Sequence, residues 1–381
     1  MRYLFLAALL LWFPRPASAQ NPLASPAMDV SLVERWRIPG GIDGQSFGRI
    51  VSVAGGDSGR VFLLDGEFSR VYVVDDGTGK LIDSFGKEGE GPGDLRHAQY
   101  AFVAGPDRLD IVSLMPPSIQ SLTFVGDYLD SRRLGFSGHF VLVWLSRATR
   151  MGDGYVVSGT SADAGMNQDL FIGAATDDMV LSSTFVSRTV AKHGTMRLQD
   201  LTFDQPRWDT DGSNLFISSA YPEYRIDVYS FDGSLQRRLR RSYKHLPRSD
   251  GEIQYLKDSF REARNKTGGT IDTSVDPFYR DIDDLYVLPD GNLLVLTSRR
   301  ARATAGASLG EFDVLDAATG ALKRRVRFLG EGNALFDNYV VCGWRLFVVT
   351  DMKPPTWHAG RDRDRDVPYM SVICYELRDT P

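Results

Sequence analysis

Residues 60–95, RVFLLDGEFSRVYVVDDGTGKLIDSFGKEGEGPGDL, carry the pattern on which the rest of the chain is built. Three short apolar runs, 61–64, 71–74 and 81–85, are split by turn residues and followed by a glycine-rich loop. The first two runs are almost unbroken Val, Leu, Phe and Tyr. Such weak alternation marks strands covered on both faces. Asp76-Gly77-Thr78-Gly79 supplies the positive φ that a tight hairpin needs. Helices of ordinary length do not fit between punctuation this dense. The stretch therefore encodes a small antiparallel meander. One meander cannot bury its own faces, so copies must stack.

Degenerate copies fill the chain. The first unit opens with an inner strand at 50–54, and four further units repeat its grammar. Their turns are Gly105-Pro106-Asp107 and Gly126-Asp127, Asp153-Gly154 and Asp177-Asp178, Asp211-Gly212 and Asp232-Gly233, and Asp290-Gly291 and Thr319-Gly320. A sixth unit has three strands, at 335–341, 345–350 and 370–377. Its missing fourth strand is matched by a spare one near the N-terminus, residues 31–38 (SLVERWRI). Pairing the two ends removes the open edges of an unclosed array. The expected fold is all-β: a six-bladed β-propeller over residues 30–379, closed by an N-terminal strand that completes the last blade. Between blades four and five, residues 243–281 lack blade grammar and form an insertion. There Ile253, Leu256 and Phe260 recur at helical spacing, with Ser249 and Glu252 placed as a capping box. The apolar stripe suits docking on the rim, as a brace or as a lid.

The loop GKEGEGPGDL, residues 86–95, resembles the G-x-G-x-GPG-E/D-[FL] signature of secreted bacterial six-bladed propellers of the NHL-repeat and TolB-like type. The blade count agrees, and the resemblance covers essentially the whole chain beyond residue 20. The GH and WD dipeptides of WD40 blades are absent. The resemblance implies the fold. Its members include binding scaffolds, calcium-dependent lactonases and a zinc-dependent lyase, so it leaves the function open. The same loop is no phosphate cradle: Lys87 is followed by Glu88 and Glu90, and no helix pattern begins after Leu95. A turn entering blade two, shaped by Pro92 and the glycines, is expected instead.

The N-terminus reads as a secretory signal over residues 1–19. Arg2 precedes an apolar run at 4–13, and Ala17-Ser18-Ala19 fits the small-residue cleavage pattern before Gln20. Residues 20–29 read as a linker. The apolar run is too short for an ordinary span and no later stretch reaches spanning length, so a periplasmic or secreted protein without a transmembrane segment is expected. The 44 Lys+Arg against 49 Asp+Glu, net charge -5, argue against nucleic acid as a partner. Cys342 and Cys374 fall on non-neighbouring strands of blade six and flank no redox or zinc motif; export permits a disulfide, and two isolated buried thiols fit at least as well.

In a propeller the connections between blades, and those between second and third strands, emerge on one face. His97, His139, His193 and His245 fall in inter-blade connections and His358 in the second-to-third connection of blade six, so all five are placed on that face. Neutral imidazole is a common metal ligand, and a site for a metal or an anionic ligand is one reading. The plainer one is that long loops collect polar residues. No His-x-His or HExxH spacing favours the metal, and five histidines around a ring cannot reach one ion. Asp272, Asp276, Asp281, Asp283 and Asp284 fall on the same face. Of these, Asp281, Asp283 and Asp284 lie near an inner strand end and are the candidates for Ca²⁺, as the resemblance to lactonase-like propellers implies. The RDRDRD run at 361–366 suits a solvated, self-paired loop or a docking loop.

Two functions follow from different classes. The first is a monomeric, non-catalytic binding module that takes a peptide, a glycan or an envelope protein on its long-loop face. The alternative is a Ca- or Zn-dependent hydrolase or lyase with its site at the channel mouth.

Overall fold

Six sheets stand as blades around a central channel. The computed structural model describes residues 26–377 apart from 56–58, 136–139, 166, 193–194, 198–204, 268–269, 300–307, 333–336 and 351–369. Blade one pairs Ile50–Gly55, Arg60–Asp65, Arg70–Asp75 and Leu81–Phe85, inner to outer. Blade two pairs Ala98–Gly105, Arg108–Ser113, Ser118–Leu122 and Tyr128–Arg133. Blades three and four begin with inner strands Phe140–Met151 and Arg207–Thr210. Blades five and six begin with Ile282–Val287 and Asn338–Cys342.

The apolar runs are continuous because each blade is buried from both sides. Val61 and Leu63 join a cluster with Phe347, Val372 and Cys374 of blade six, while Phe62 and Leu64 pack with Leu109 and Ile111 of blade two. Side chains alternate across a strand, so neighbours in sequence serve opposite seams. The same division recurs at the other seams among the described residues. The core is therefore a set of layers between sheets.

Turn chemistry repeats as well. Gly79 takes φ 67° and its N–H donates to the Asp75 carbonyl at 2.8 Å, while the Thr78 hydroxyl donates to Asp75 Oδ1 at 2.7 Å. Gly320, Asp316 and Thr319 reproduce this hairpin in blade five. The glycine-rich loop is a turn, as its residues suggested: Gly91 N–H donates to Asp94 Oδ2 at 3.0 Å, Leu95 is buried, and blade two starts at Ala98.

The N-terminal segment departs from the expected single strand at 31–38. It forms two strands, β1 (Met28–Ser31) and β2 (Val33–Pro39). β1 runs parallel to Leu322–Leu329 on the outer edge of blade five, with Val30 opposite Phe328. This claims residues 28 and 29, which had read as linker. β2 pairs antiparallel with Ser371–Glu376, placing Trp36 opposite Cys374, so the sixth sheet takes its outermost strand from the N-terminal segment. Trp36 then reaches blade one, where its Nε1–H donates to the Asp76 carbonyl at 2.7 Å. Arg345 bridges the same seam, with Nη2 3.2 Å from Asp76 Oδ2 and Nη1 3.0 Å from Glu376 Oε1.

Blade three also departs from four strands. Thr195–Arg197 extends it, and Thr270–Asp272, from the insertion, adds alongside in parallel. Before that strand the insertion forms helix α1 (Asp250–Thr267). Its capping box is present: Glu252 N–H donates to Ser249 Oγ at 3.2 Å and Ser249 N–H donates to Glu252 Oε2 at 2.7 Å. Phe260 on its apolar stripe is fully buried. No helix among the described residues is long and apolar enough to cross a membrane.

Candidate ligand-binding face

The two histidines within the described residues occupy inter-blade connections. His97 is exposed at φ 49° just before blade two, and His245 lies at the start of the insertion. His139, His193, His358, the signal segment and the 361–366 run lie outside the described residues.

The carboxylates placed on this face have different surroundings. Asp272 binds its own turn, accepting from Ser274 N–H at 2.8 Å. Asp283 and Asp284 lie within the inner strand of blade five, not in a loop. The Asp283 carbonyl accepts from Arg207 Nε at 2.9 Å, and Asp284 Oδ2 is 3.1 Å from the Tyr286 hydroxyl. Asp281, by contrast, meets His245. Among the described residues, no group of three or more His, Cys, Asp or Glu side chains is placed to hold a metal ion. The inner strand shifts register between Ile282 and Asp284, so Asp283 sits at a bulge and not in a regular alternation.

Asp281 meets His245 at the neck of the insertion. Here the outgoing segment 245–248 runs against the returning segment 277–281. Tyr279 N–H donates to the Leu246 carbonyl at 2.9 Å, and Arg248 N–H to that of Pro277 at 2.8 Å. His245 Nδ1 sits 2.8 Å from Asp281 Oδ1; the aspartate side chain is 0% exposed, the imidazole 45%. Burial pushes the Asp281 carboxyl up to about 6, against the pull of His245, of the Tyr224 backbone N–H and of the Arg299 charge. The buried carboxylate orients the ring and leaves its second nitrogen to an incoming group.

Blade five reaches the neck through the connection after its second strand, Asn292–Thr297. Ser298 N–H donates to the Asp281 carbonyl at 3.2 Å, and Ser298 Oγ is 2.9 Å from the Tyr243 hydroxyl. Arg299 lies 4.7 Å over the Tyr243 ring. Phe278, 38% exposed, stands with its ring 6.0 Å from His245, and its carbonyl accepts from the Tyr221 hydroxyl. Tyr243, Phe278, Ser298 and Arg299 had no motif to announce them. Their one signal was position, since each flanks a strand end on the long-loop face.

The channel holds a second polar group that the sequence did not single out. Arg147, from the inner strand of blade three, donates to the Trp208 carbonyl at 2.6 Å and to Asp209 Oδ1 at 3.1 Å. It stacks 4.1 Å over the Trp208 ring. Asp209 Oδ2 accepts from Val287 N–H at 2.8 Å, and burial pushes the Asp209 carboxyl up. These bonds tie the inner strands of blades three, four and five together. Cys342 and Cys374 are free thiols, both pushed up to about 12 by burial.

The fold defines the class: a six-bladed β-propeller, nearly all β. No family model matches the chain, and no curated protein matches it. Solved structures with a similar outline include a member of the DUF4221 family from Bacteroides vulgatus, 10% identical, with TM-score 0.49 over 92% of this chain and 99% of that one. A candidate exported protein from Bacteroides fragilis is 11% identical, with TM-score 0.48 over 91% and 94%. The aldose sugar dehydrogenase of Streptomyces coelicolor, in its PQQ-bound form, is 15% identical, with TM-score 0.43 over 89% and 97%. Likenesses of this degree carry no argument about ligand or activity.

Proposed function

We propose that this chain is an exported, monomeric six-bladed propeller acting as a non-catalytic binding module, with its ligand taken at the neck of the insertion on the long-loop face. One observation carries the reading: exposed Phe278 and His245 rings stand beside the wholly buried Asp281 and the partly covered Arg299. Aromatic and arginine side chains around a desolvated polar centre are the composition of binding hot spots. The apolar run at 4–13 with its Ala17-Ser18-Ala19 site supports export to the periplasm or beyond.

The His245–Asp281 pair also favours a second reading, a Ca- or Zn-dependent hydrolase or lyase in which the imidazole serves as general base. One measurement separates the two. Protein purified from the periplasm without chelators is analysed for bound metal, and any ligand found for it is followed for conversion. The binding module predicts a ligand recovered unchanged, with affinity lowered about tenfold or more in His245→Ala, the order expected when a hot-spot side chain is truncated. Stoichiometric Ca²⁺ or Zn²⁺ together with ligand turnover would overturn it in favour of the enzyme.

A further inference from the structure

The unpartnered atoms at the neck define the chemistry that fits there. Asp281 Oδ2 is buried and accepts no hydrogen bond. Arg299 Nη1 is buried and donates none, and Arg299 Nε is held loosely at 3.8 Å from Glu311 Oε2. One atom is an acceptor and the other a donor. Leaving either unpaired is costly, so both favour a molecule that supplies the missing bonds. They belong to one cluster, because Ser298 is bonded to the Asp281 backbone and Arg299 lies over Tyr243, whose hydroxyl meets Ser298.

The charge pattern selects among ligands. An anion facing Arg299 is repelled by Asp281, and a cation facing Asp281 is repelled by Arg299. An apolar molecule satisfies neither. A hydroxyl group both donates and accepts through one oxygen, so neighbouring hydroxyls can serve a carboxylate and a guanidinium side by side. Phe278 adds an exposed ring against which the C–H face of a sugar can lie. A peptide amide also carries both a donor and an acceptor, but a peptide that adds as a strand is taken along an open strand edge. The two unpaired atoms here are on side chains between loops.

We propose that the neck binds a neutral carbohydrate: Asp281 and Arg299 hydrogen-bond its hydroxyls, the second ring nitrogen of His245 bonds a third, and Phe278 stacks on the sugar ring. This rests on the binding-module reading and names its ligand class.

The test applies the chain, expressed with its own N-terminus, to an array of defined neutral oligosaccharides and, in parallel, to a panel of synthetic peptides. Affinities are measured for wild type, Phe278→Ala and Arg299→Gln, each checked by circular dichroism for an unchanged fold. The expected result is an oligosaccharide bound by wild type and weakened at least tenfold in both variants. An oligosaccharide bound equally by all three would overturn the site but leave a binding module. A peptide bound by wild type and lost in the variants, with the oligosaccharide array silent, would overturn the ligand class and keep the binding reading. Silence on both panels would sink both.

Discussion

Asp65 and Asp281 look alike in the sequence, each beside an apolar run, and have opposite situations in the fold. Asp65 is fully buried and accepts from four backbone N–H groups, those of Gly48, Arg49, Glu67 and Phe68, at 2.8–3.1 Å. It staples the entry of blade one to the turn after its second strand. Asp281 is equally buried but has a bond to His245 through one oxygen and none through the other. A carboxyl raised to about 6 binds its proton more tightly in the folded protein than in the unfolded chain. Its stabilising contribution is full below the ordinary carboxylate range, near 3.8, and is lost as pH rises through about 6. Asn does not titrate. Asp281→Asn should therefore gain on wild type by roughly 1–3 kcal/mol between pH 4 and pH 7. Urea unfolding of both proteins at the two pH values measures this, and a gap that does not change with pH would refute it.

The N-terminal strands show how an element's worth depends on what it packs against. Trp36 on β2 is buried between blade six and blade one, with its ring against the Gly79 turn, where any Cβ would lie 2.7 Å from the indole. Val30 on β1 is buried too, yet it lies on a fifth, peripheral strand. Trp36→Ala should cost roughly 3–5 kcal/mol, since it removes a large buried ring and a hydrogen bond at once. Val30→Ala should cost only about 1–2 kcal/mol. Denaturant midpoints followed by far-ultraviolet circular dichroism compare them, and equal losses would contradict this ranking. Helix α1 was legible because its signals are local: Ser249, Glu252 and a three-to-four spacing of apolar residues suffice to place it. The division of residues 28–39 into two strands on two blades was not. Both strands read alike as short extended segments, and their partners lie far off in sequence, Phe328 opposite Val30 and Cys374 opposite Trp36.

At the scale of the whole molecule, the sixth sheet joins Val33–Pro39 to Ser371–Glu376, strands from opposite ends of the described chain. Deleting residues up to Pro39 would leave Ser371–Glu376 as an unpaired edge, a template for pairing with another chain. The truncated protein should associate in a concentration-dependent manner on size-exclusion chromatography. A synthetic peptide of residues 28–40 should return it to the monomer position. Unchanged monomeric elution of the truncated protein would show that the edge needs no cover.

What the sequence determined by itself was the repeating part of this protein. Strand runs, Asp-Gly and Thr-Gly turns, blade number and the capped helix all follow from interactions among residues a few positions apart. Tertiary structure decided the site. His245 and Asp281 are 36 positions apart and touch because the insertion leaves and re-enters the ring at one neck. Asp283 and Asp284, two and three positions beyond Asp281, belong to the inner strand, where Arg207 meets the Asp283 carbonyl and Tyr286 the Asp284 carboxylate. Burial, which leaves Asp281 and Arg299 with unpaired atoms, depends on which loops fold over them. A local pattern can specify a blade; only the closed path of the backbone brings distant loop residues together on one face.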